Sequence, residues 1–361
     1  MKKTLVAVAA LVATGAFAEV TLTGNITQNY SNTVVQTSSS ASSSVSAIGN
    51  RNSALGDSFI TFAGSEDLGN GLKASFKIEP RVNINGSDSV SKVTNATTGA
   101  DQGTVAGSGS LFGANREAHV DLSGAFGSVA IGNNYTPMFL QVIAPTDVNG
   151  STNAPGYLVS NNTSFNATNS IAYTLPTIVS GLNASLAWNR GGADGSVVGS
   201  ANAGNSTGYG LSYSAGGFYA GFASETTQNT ALTAVTSLLA PATVEAASIN
   251  DTLTKTAYGL SYNFGVAKVT LAGVNASLKS DSINTTGYGV SIPFGEFSVN
   301  LSSSTQKTVD ATTTKNYSGS QLGLTYALSK RTSAYVLSSK FTNTTDKLAS
   351  TQNSIGVSHA F

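Results

Sequence analysis

Residues 72–79 read Leu72-Lys73-Ala74-Ser75-Phe76-Lys77-Ile78-Glu79, apolar at every even position and polar at every odd one. Successive side chains of a strand point to opposite faces, so this run has one apolar face and one charged face. A helix would need its apolar residues three and four apart. The same period recurs in Ala118-His119-Val120-Asp121-Leu122-Ser123, Phe297-Ser298-Val299-Asn300-Leu301-Ser302 and Gln321-Leu322-Gly323-Leu324-Thr325-Tyr326. It also runs through Ser354-Ile355-Gly356-Val357-Ser358-His359-Ala360-Phe361.

Four further segments resemble one another. They are Thr207-Gly208-Tyr209-Gly210-Leu211-Ser212-Tyr213, Thr256-Ala257-Tyr258-Gly259-Leu260-Ser261-Tyr262, Thr286-Gly287-Tyr288-Gly289-Val290-Ser291-Ile292 and Ser320-Gln321-Leu322-Gly323-Leu324-Thr325-Tyr326. Each passes through a very short break (Ala215-Gly216-Gly217, Gly265-Val266, Phe294-Gly295-Glu296, Ser329-Lys330) into another alternating run. Connections this tight mark hairpins, so the repeating unit is strand–turn–strand. The glycines do not form a nucleotide loop. A Gly-x-Gly-x-x-Gly fingerprint must open a helix, and here the strand pattern continues.

Sixteen such runs lie near 20–30, 58–66, 72–84, 115–124, 127–134, 169–176, 182–190, 207–215, 218–225, 255–264, 267–279, 286–293, 297–305, 318–328, 331–342 and 353–361. The gaps alternate: Asp67 to Gly71 and Ala125-Phe126 are short, whereas Ser31 to Asp57 and Asn85 to Ala114 are long and polar. Short connections on one rim and long ones on the other are the pattern of an outer-membrane barrel. A β-sandwich or β-solenoid also alternates but does not require that asymmetry. The expected fold is therefore all-β, a 16-stranded antiparallel transmembrane β-barrel with short periplasmic turns and long extracellular loops. Its apolar parity faces lipid, its polar parity faces the lumen, and the closed wall pairs every backbone group. Tyr213, Tyr262, Tyr326, Phe218, Phe297 and Phe361 fall near the short-turn ends, where an aromatic girdle sits.

Composition agrees. Charged residues make up 10% of the chain, against about 25% in ordinary soluble domains. Lys2 and Lys3, the apolar run to Gly15 and the small-x-small Ala16-Phe17-Ala18 read as a cleaved signal peptide over 1–18, with the barrel domain over 19–361. No later run offers the ~18 uninterrupted apolar residues of a membrane helix. Without Lys2 and Lys3 the acids exceed the bases by two, so no basic excess suggests nucleic acid. Cysteine is absent, which excludes disulfides and thiolate metal sites.

Several stretches together carry a family resemblance. They are Gly64-Ser65-Glu66-Asp67-Leu68-Gly69-Asn70-Gly71-Leu72, Val120-Asp121-Leu122-Ser123-Gly124-Ala125-Phe126-Gly127, Tyr135-Thr136-Pro137, Asn169-Ser170-Ile171-Ala172-Tyr173, Ser329-Lys330-Arg331-Thr332 and His359-Ala360-Phe361. In this order they resemble the general-diffusion porins of Gram-negative outer membranes, most closely the β-proteobacterial type. The resemblance implies a water-filled channel for passive diffusion of small hydrophilic solutes and ions, assembled as a homotrimer in the outer membrane among lipid and lipopolysaccharide. It implies that Phe361 serves as the signal read by the barrel-assembly machinery. It further implies that the third long loop, Tyr135 to Thr168, folds inward to narrow the pore. The loop's Met138-Phe139-Leu140 and Val142-Ile143 would pack it against an apolar surface, and a short surface helix is the other reading of those residues.

Relatives line the wall with arginines, and this chain departs from them. Ala63 replaces a basic residue before Gly64, Asn133 an arginine before Tyr135-Thr136-Pro137, Ala172 an arginine after Ile171, and Ser358 an arginine before His359. Between Asn133 and Asn189 only Asp147 is charged. The remaining constriction candidates on the polar parity are Lys73, Lys77, Glu79 and Arg81 on one strand and Glu117, His119 and Asp121 on the next, with Arg116 at its loop-side end and Asp147 facing them. A pore so depleted of wall cations is expected to be weakly ion-selective, with a slight cation preference. No enzyme is expected. His119, Asp121 and Ser123 line up along one strand, where i and i+2 are ~7 Å apart, and no triad assembles. With one histidine facing the lumen and the other facing lipid, neither a metal site nor a cofactor is expected. A substrate-selective channel and a structural or adhesive surface barrel are the alternatives. The apolar stretch 231–247 reads as a self-packed surface loop.

Overall fold

The computed structural model describes residues 20–38, 41–49, 56–84, 92–94, 101–104, 112–150, 165–191, 204–228 and 251–361. The expected signal peptide and the apolar stretch 231–247 lie outside the described residues. The chain runs through β1 (Thr21–Ser38), β2 (Ala41–Gly49), β3 (Phe59–Gly69), β4 (Leu72–Val82), β5 (Lys92–Thr94), β6 (Asp101–Thr104), β7 (Phe112–Gly124), β8 (Gly127–Tyr135), β9 (Asn166–Thr174) and β10 (Leu182–Asn189). It continues through β11 (Ser206–Ala215), β12 (Phe218–Gln228), β13 (Thr252–Asn263), β14 (Lys268–Leu278), β15 (Asp281–Phe294), β16 (Phe297–Val309), β17 (Thr314–Ala327), β18 (Thr332–Asn343) and β19 (Leu348–Ala360).

Sixteen of these form one antiparallel wall, each paired with its neighbours in chain order. The wall closes where β19 pairs with β1 over eleven positions, from Asn25↔Ala360 to Val35↔Ser350. β2 stands outside the count: it folds back on the loop-side half of β1. β5 and β6 form a separate two-stranded sheet within the long connection from β4 to β7. No described helix is long and apolar enough to cross a membrane, and the strands make the crossing.

Each strand sorts its side chains by parity. On β11, Tyr209, Leu211 and Tyr213 are exposed on the outside, while Gly208, Gly210 and Ser212 are buried on the inside. The turn-side aromatics form the expected girdle: Phe294 lies against Phe297 (5.5 Å between ring centroids) and Phe297 against Tyr326 (4.7 Å). Tyr209, Tyr258 and Tyr288 form a second outward row, ~13 Å higher along the strands by strand rise.

The wall strands are longer than their alternation predicts. β15 begins at Asp281 rather than 286, β16 reaches Val309 rather than 305, and β17 begins at Thr314 rather than 318. The extra residues are mostly polar (aspartate, serine, threonine, asparagine, glutamine and lysine) on both faces, so the ladder continues where the apolar signal stops. The loop-side connections after β14, β16 and β18 are consequently tight turns, while the earlier ones are long. In the turn after β16, the Asp310 carboxylate accepts the Thr313 hydroxyl and the backbone N–H groups of Thr312 and Thr313. Led by the Thr313 hydroxyl, these donors hold the carboxyl well below the ordinary carboxylate range.

Phe361 locks the seam. Its N–H donates to the Gly24 carbonyl and the Gly24 N–H donates back, both at 3.1 Å. A Cβ on Gly24 would meet the Phe361 ring and the Phe59 carbonyl oxygen, each at 2.6 Å. Gly24→Val is therefore expected to destabilise the closed barrel by about 1–3 kcal/mol through overpacking. The measurement is the temperature at which the compact band on a heat-modifiability gel is lost, and an unchanged temperature would contradict the packed seam.

Candidate functional site

Between β8 and β9 the chain turns off the wall at Thr136 and enters the lumen. Thr136 prepares the turn: its N–H donates to the Phe165 carbonyl and its hydroxyl accepts the Phe139 N–H. A π-helical turn, Phe139–Ile143, and one α-helical turn, Ala144–Thr146, follow. Met138, Val142 and Ile143 are buried against Ala223, Ala257, Ala272 and Val274, all on the inward parity of β12 to β14. The expected inward fold is thus present over the described part of the third loop, and the surface-helix reading is corrected. Apolar residues next to a run of inward alanines bury more area in the lumen than on the rim.

Gln141 is the polar centre of this docking. Its Nε2 donates to Asn183 Oδ1 at 3.2 Å and to Ser185 Oγ at 3.4 Å, and its Oε1 accepts the Ser212 hydroxyl. Its carbonyl accepts the Tyr219 hydroxyl at 2.7 Å. Farther along, Lys268 Nζ donates to the Pro145 carbonyl at 2.8 Å and Asn149 Nδ2 to Ser302 Oγ at 2.6 Å. Residues 136–149 thus reach from β8 across to β16.

A cluster of charged residues lies on the wall of β3, β4 and β7, and a separate inward pair, Glu225 opposite Lys255, stands on β12 and β13. Register explains the cluster, because Lys77 stands opposite His119, Glu79 opposite Glu117, and Phe59 opposite Arg81. Arg116, at a bulge in β7, bonds Glu79 at 2.6 Å and Asp57 at 3.1 Å and lies 4.4 Å over the Phe59 ring. Arg81 bonds Asp57 at 3.0 Å. Lys77 pairs with Glu117, and with Glu79 at 3.2 Å. His119 faces carboxylates on both sides, Asp121 at 3.1 Å and Glu117 at 3.6 Å. Thr61 donates to Glu79 at 2.7 Å.

Six of the eight predicted constriction residues meet here: Lys77, Glu79, Arg81, Arg116, Glu117 and Asp121, with His119 among them. Lys73 is placed toward the turn side, opposite Asp67 and Ser123. Asp147 lies on the docked loop, across the lumen from the cluster's strands. Its Oδ1 accepts the N–H groups of Asn149 and Gly150, and its neighbours pack on β14 to β16. The turn needs an acceptor there, and the carboxylate supplies it. Sequence reading missed Asp57 and Gln141. Counting outward from the Gly69-Asn70-Gly71 turn puts 59 opposite 81, so a lumen-facing Asp57 beside Arg81 was available from register alone. Gln141 carried no such signal.

At the four positions where the resemblance implies basic residues, the residues are neutral. Ala63 stands opposite Lys77, and Ala172 opposite Ala130 and Ala187. Ser358 donates to Asn25 Oδ1 at 2.8 Å and shares a 3.0 Å hydrogen bond with the Thr27 hydroxyl. Asn133 stands opposite Ala118 and donates to the Asn115 carbonyl.

A closed barrel with an apolar exterior, a polar interior and a connection folded into that interior is a transmembrane channel. A family model described as Gram-negative porin matches residues 4–346, and the chain belongs to that family. Its fold matches the anion-selective porin from Comamonas acidovorans with a TM-score of 0.72 at 21% identity, over 95% of this chain and 100% of that one. It matches Salmonella typhi OmpF, solved with daunomycin, with a TM-score of 0.65 at 16% identity, over 95% and 98%. The trimer form of Vibrio cholerae OmpT matches with a TM-score of 0.64 at 9% identity, over 95% and 99%. No curated protein matches the chain significantly. The protein is an outer-membrane diffusion channel.

The cluster ranks its own members. Arg116 bonds both Glu79, which is 4% exposed and would keep only Lys77 and Thr61, and Asp57, whereas Arg81 bonds Asp57 alone, which keeps Arg116 when Arg81 is lost. Arg116→Ala is expected to cost about 2 kcal/mol, the loss of charged hydrogen bonds to two carboxylates, and Arg81→Ala about 1 kcal/mol or less. Urea unfolding of the two variants in one detergent checks the ranking, and equal losses would contradict it.

Proposed function

We propose that this channel passes small hydrophilic solutes and ions with little charge selectivity and a slight cation preference. One observation carries the reading: Lys77, Arg81 and Arg116 are each ion-paired with carboxylates of their own cluster. Opposite charges 3 Å apart cancel most of each other's field a Debye length away, ~8 Å at physiological ionic strength. The cluster sets four carboxylates, Asp57, Glu79, Glu117 and Asp121, against Lys77, Arg81, Arg116 and, between two of those carboxylates, His119, so it projects little net field. The slight cation preference is the bias of the one carboxylate left over when the imidazole is uncharged.

The rest of the reading follows the family. The working unit is a homotrimer, as in the trimer form of Vibrio cholerae OmpT. It sits among lipid and lipopolysaccharide, is exported with residues 1–18 removed, and is delivered by the barrel-assembly machinery through the strand that ends in Phe361. Transport is passive and involves no catalysis. Both ring nitrogens of His119 face carboxylates, and Ser123 lies four residues along the same strand, ~13 Å away.

The reversal potential of the protein in a planar bilayer under a potassium chloride gradient tests this. A potential close to zero, displaced slightly to the cation side, is expected. A strong anion preference, the property named for the Comamonas acidovorans porin, would overturn it.

A further inference from the structure

The fourth residue of each of the four similar segments is glycine, and hairpin formation gives no reason for it. The structure supplies one. Gly210, Gly259, Gly289 and Gly323 all face inward, and all lie under the docked third loop. A Cβ on Gly210 would stand 2.7 Å from Gln141 Cγ, and one on Gly259 would stand 2.8 Å from Thr146 Cγ2. On Gly289 it would stand 2.5 Å from the wall's Thr270 Oγ1 and 2.8 Å from Val148 Cγ2, whereas on Gly323 the wall's Leu337 Cδ1 is nearest at 3.2 Å and Asn149 Oδ1 is in ordinary contact at 3.4 Å. The order along the loop follows the order of strands around the wall. Gly221, between the first two, is the tightest point: its Cβ would collide with the Gln141 carbonyl oxygen. That oxygen belongs to backbone, so no rotamer change relieves the clash.

Pairing links these positions. Gly221 stands opposite Ser212 and Gly259, Gly289 opposite Ser302, and Gly323 opposite Asn300. None of the five glycines has a positive φ, so backbone conformation does not require them. Space does.

We propose that Gly210, Gly221, Gly259 and Gly289 form a seat whose depth fixes how far residues 137–149 stand out from the wall, and thereby sets the size limit of the channel. These glycines are positioning residues: they touch no solute and act through the loop. The proposal rests on the reading of the chain as a diffusion channel. It predicts that side chains added to the seat push the loop toward the pore axis and narrow the passage, whereas side chains added to the outer face of the same strands do not.

Gly221→Val tests it, with Ala220→Val, the outward neighbour on β12, as control. Both are compared with the unaltered protein by single-channel conductance and by liposome swelling with sugars of increasing size, after heat-modifiability gels have shown a folded barrel. Gly221→Val is expected to lower conductance about two-fold, as pore width falls, and to exclude smaller sugars. Ala220→Val is expected to match the unaltered channel. A folded Gly221→Val protein with unchanged conductance and size limit would overturn the seat. The absence of cysteine from the chain permits a second test that survives a folding failure of the first. Thr146→Cys combined with Gly259→Cys should oxidise to a disulfide, because the contact between these residues brings their Cβ atoms within bonding range. A folded double variant that forms no disulfide under oxidant would overturn the docking. If the unaltered protein itself gave no conductance, the diffusion-channel reading would fail instead.

Discussion

A backbone N–H or C=O left unpaired in hydrocarbon costs several kcal/mol, and every strand edge is a row of such groups. The pairing of β19 with β1 removes the last edge, and the rest of the structure depends on that closure. Because the wall is closed, parity acquires a fixed meaning: one face touches lipid and the other encloses water. Because both faces are then committed, the residues that meet the third loop can come only from the inward set. Phe361 and Gly24 tie the two ends of the chain with reciprocal hydrogen bonds at the turn-side rim.

The interior obeys a second constraint. Charges facing a narrow, partly desolvated lumen either project a field or neutralise one another. Strand register brings acids and bases face to face in the cluster on β3, β4 and β7, and sets Glu225 opposite Lys255 on β12 and β13. Elsewhere on the wall, neutral hydrogen bonds such as Ser358 with Asn25 and Thr27 occupy a position where the family resemblance implies an arginine. Neutrality is therefore reached in two ways, by pairing and by substitution.

The alternation of Leu72 to Glu79 and its counterparts was enough to read strand number, parity and closure, because lipid on one side and water on the other write a period of two into the sequence. The signal fades where strands leave the hydrocarbon. Asp281 to Thr285 and Gln306 to Val309 are strand in the structure but polar on both faces, so nothing in their sequence separates strand from loop. The cluster was legible from parity on β4 and β7, and Asp57 could have been added by counting register. The turn-capping role of Asp147 was not legible, because a lone carboxylate in a loop reads the same whether it faces a lumen or caps a turn. Gln141 could not have been found, since its partners lie on β10 to β12 and only the folded loop brings them within reach.

The third loop leaves the wall at β8, is bonded to the inner face from β10 to β16 and returns to β9. In mechanical terms it is an internal strut in a thin-walled tube. A cylinder one residue thick resists bending along its strands far better than it resists flattening across them. Fastening points from Gln141 to Asn149, spread over a broad arc of the circumference, oppose that flattening. The segment that crosses the lumen therefore also braces the wall.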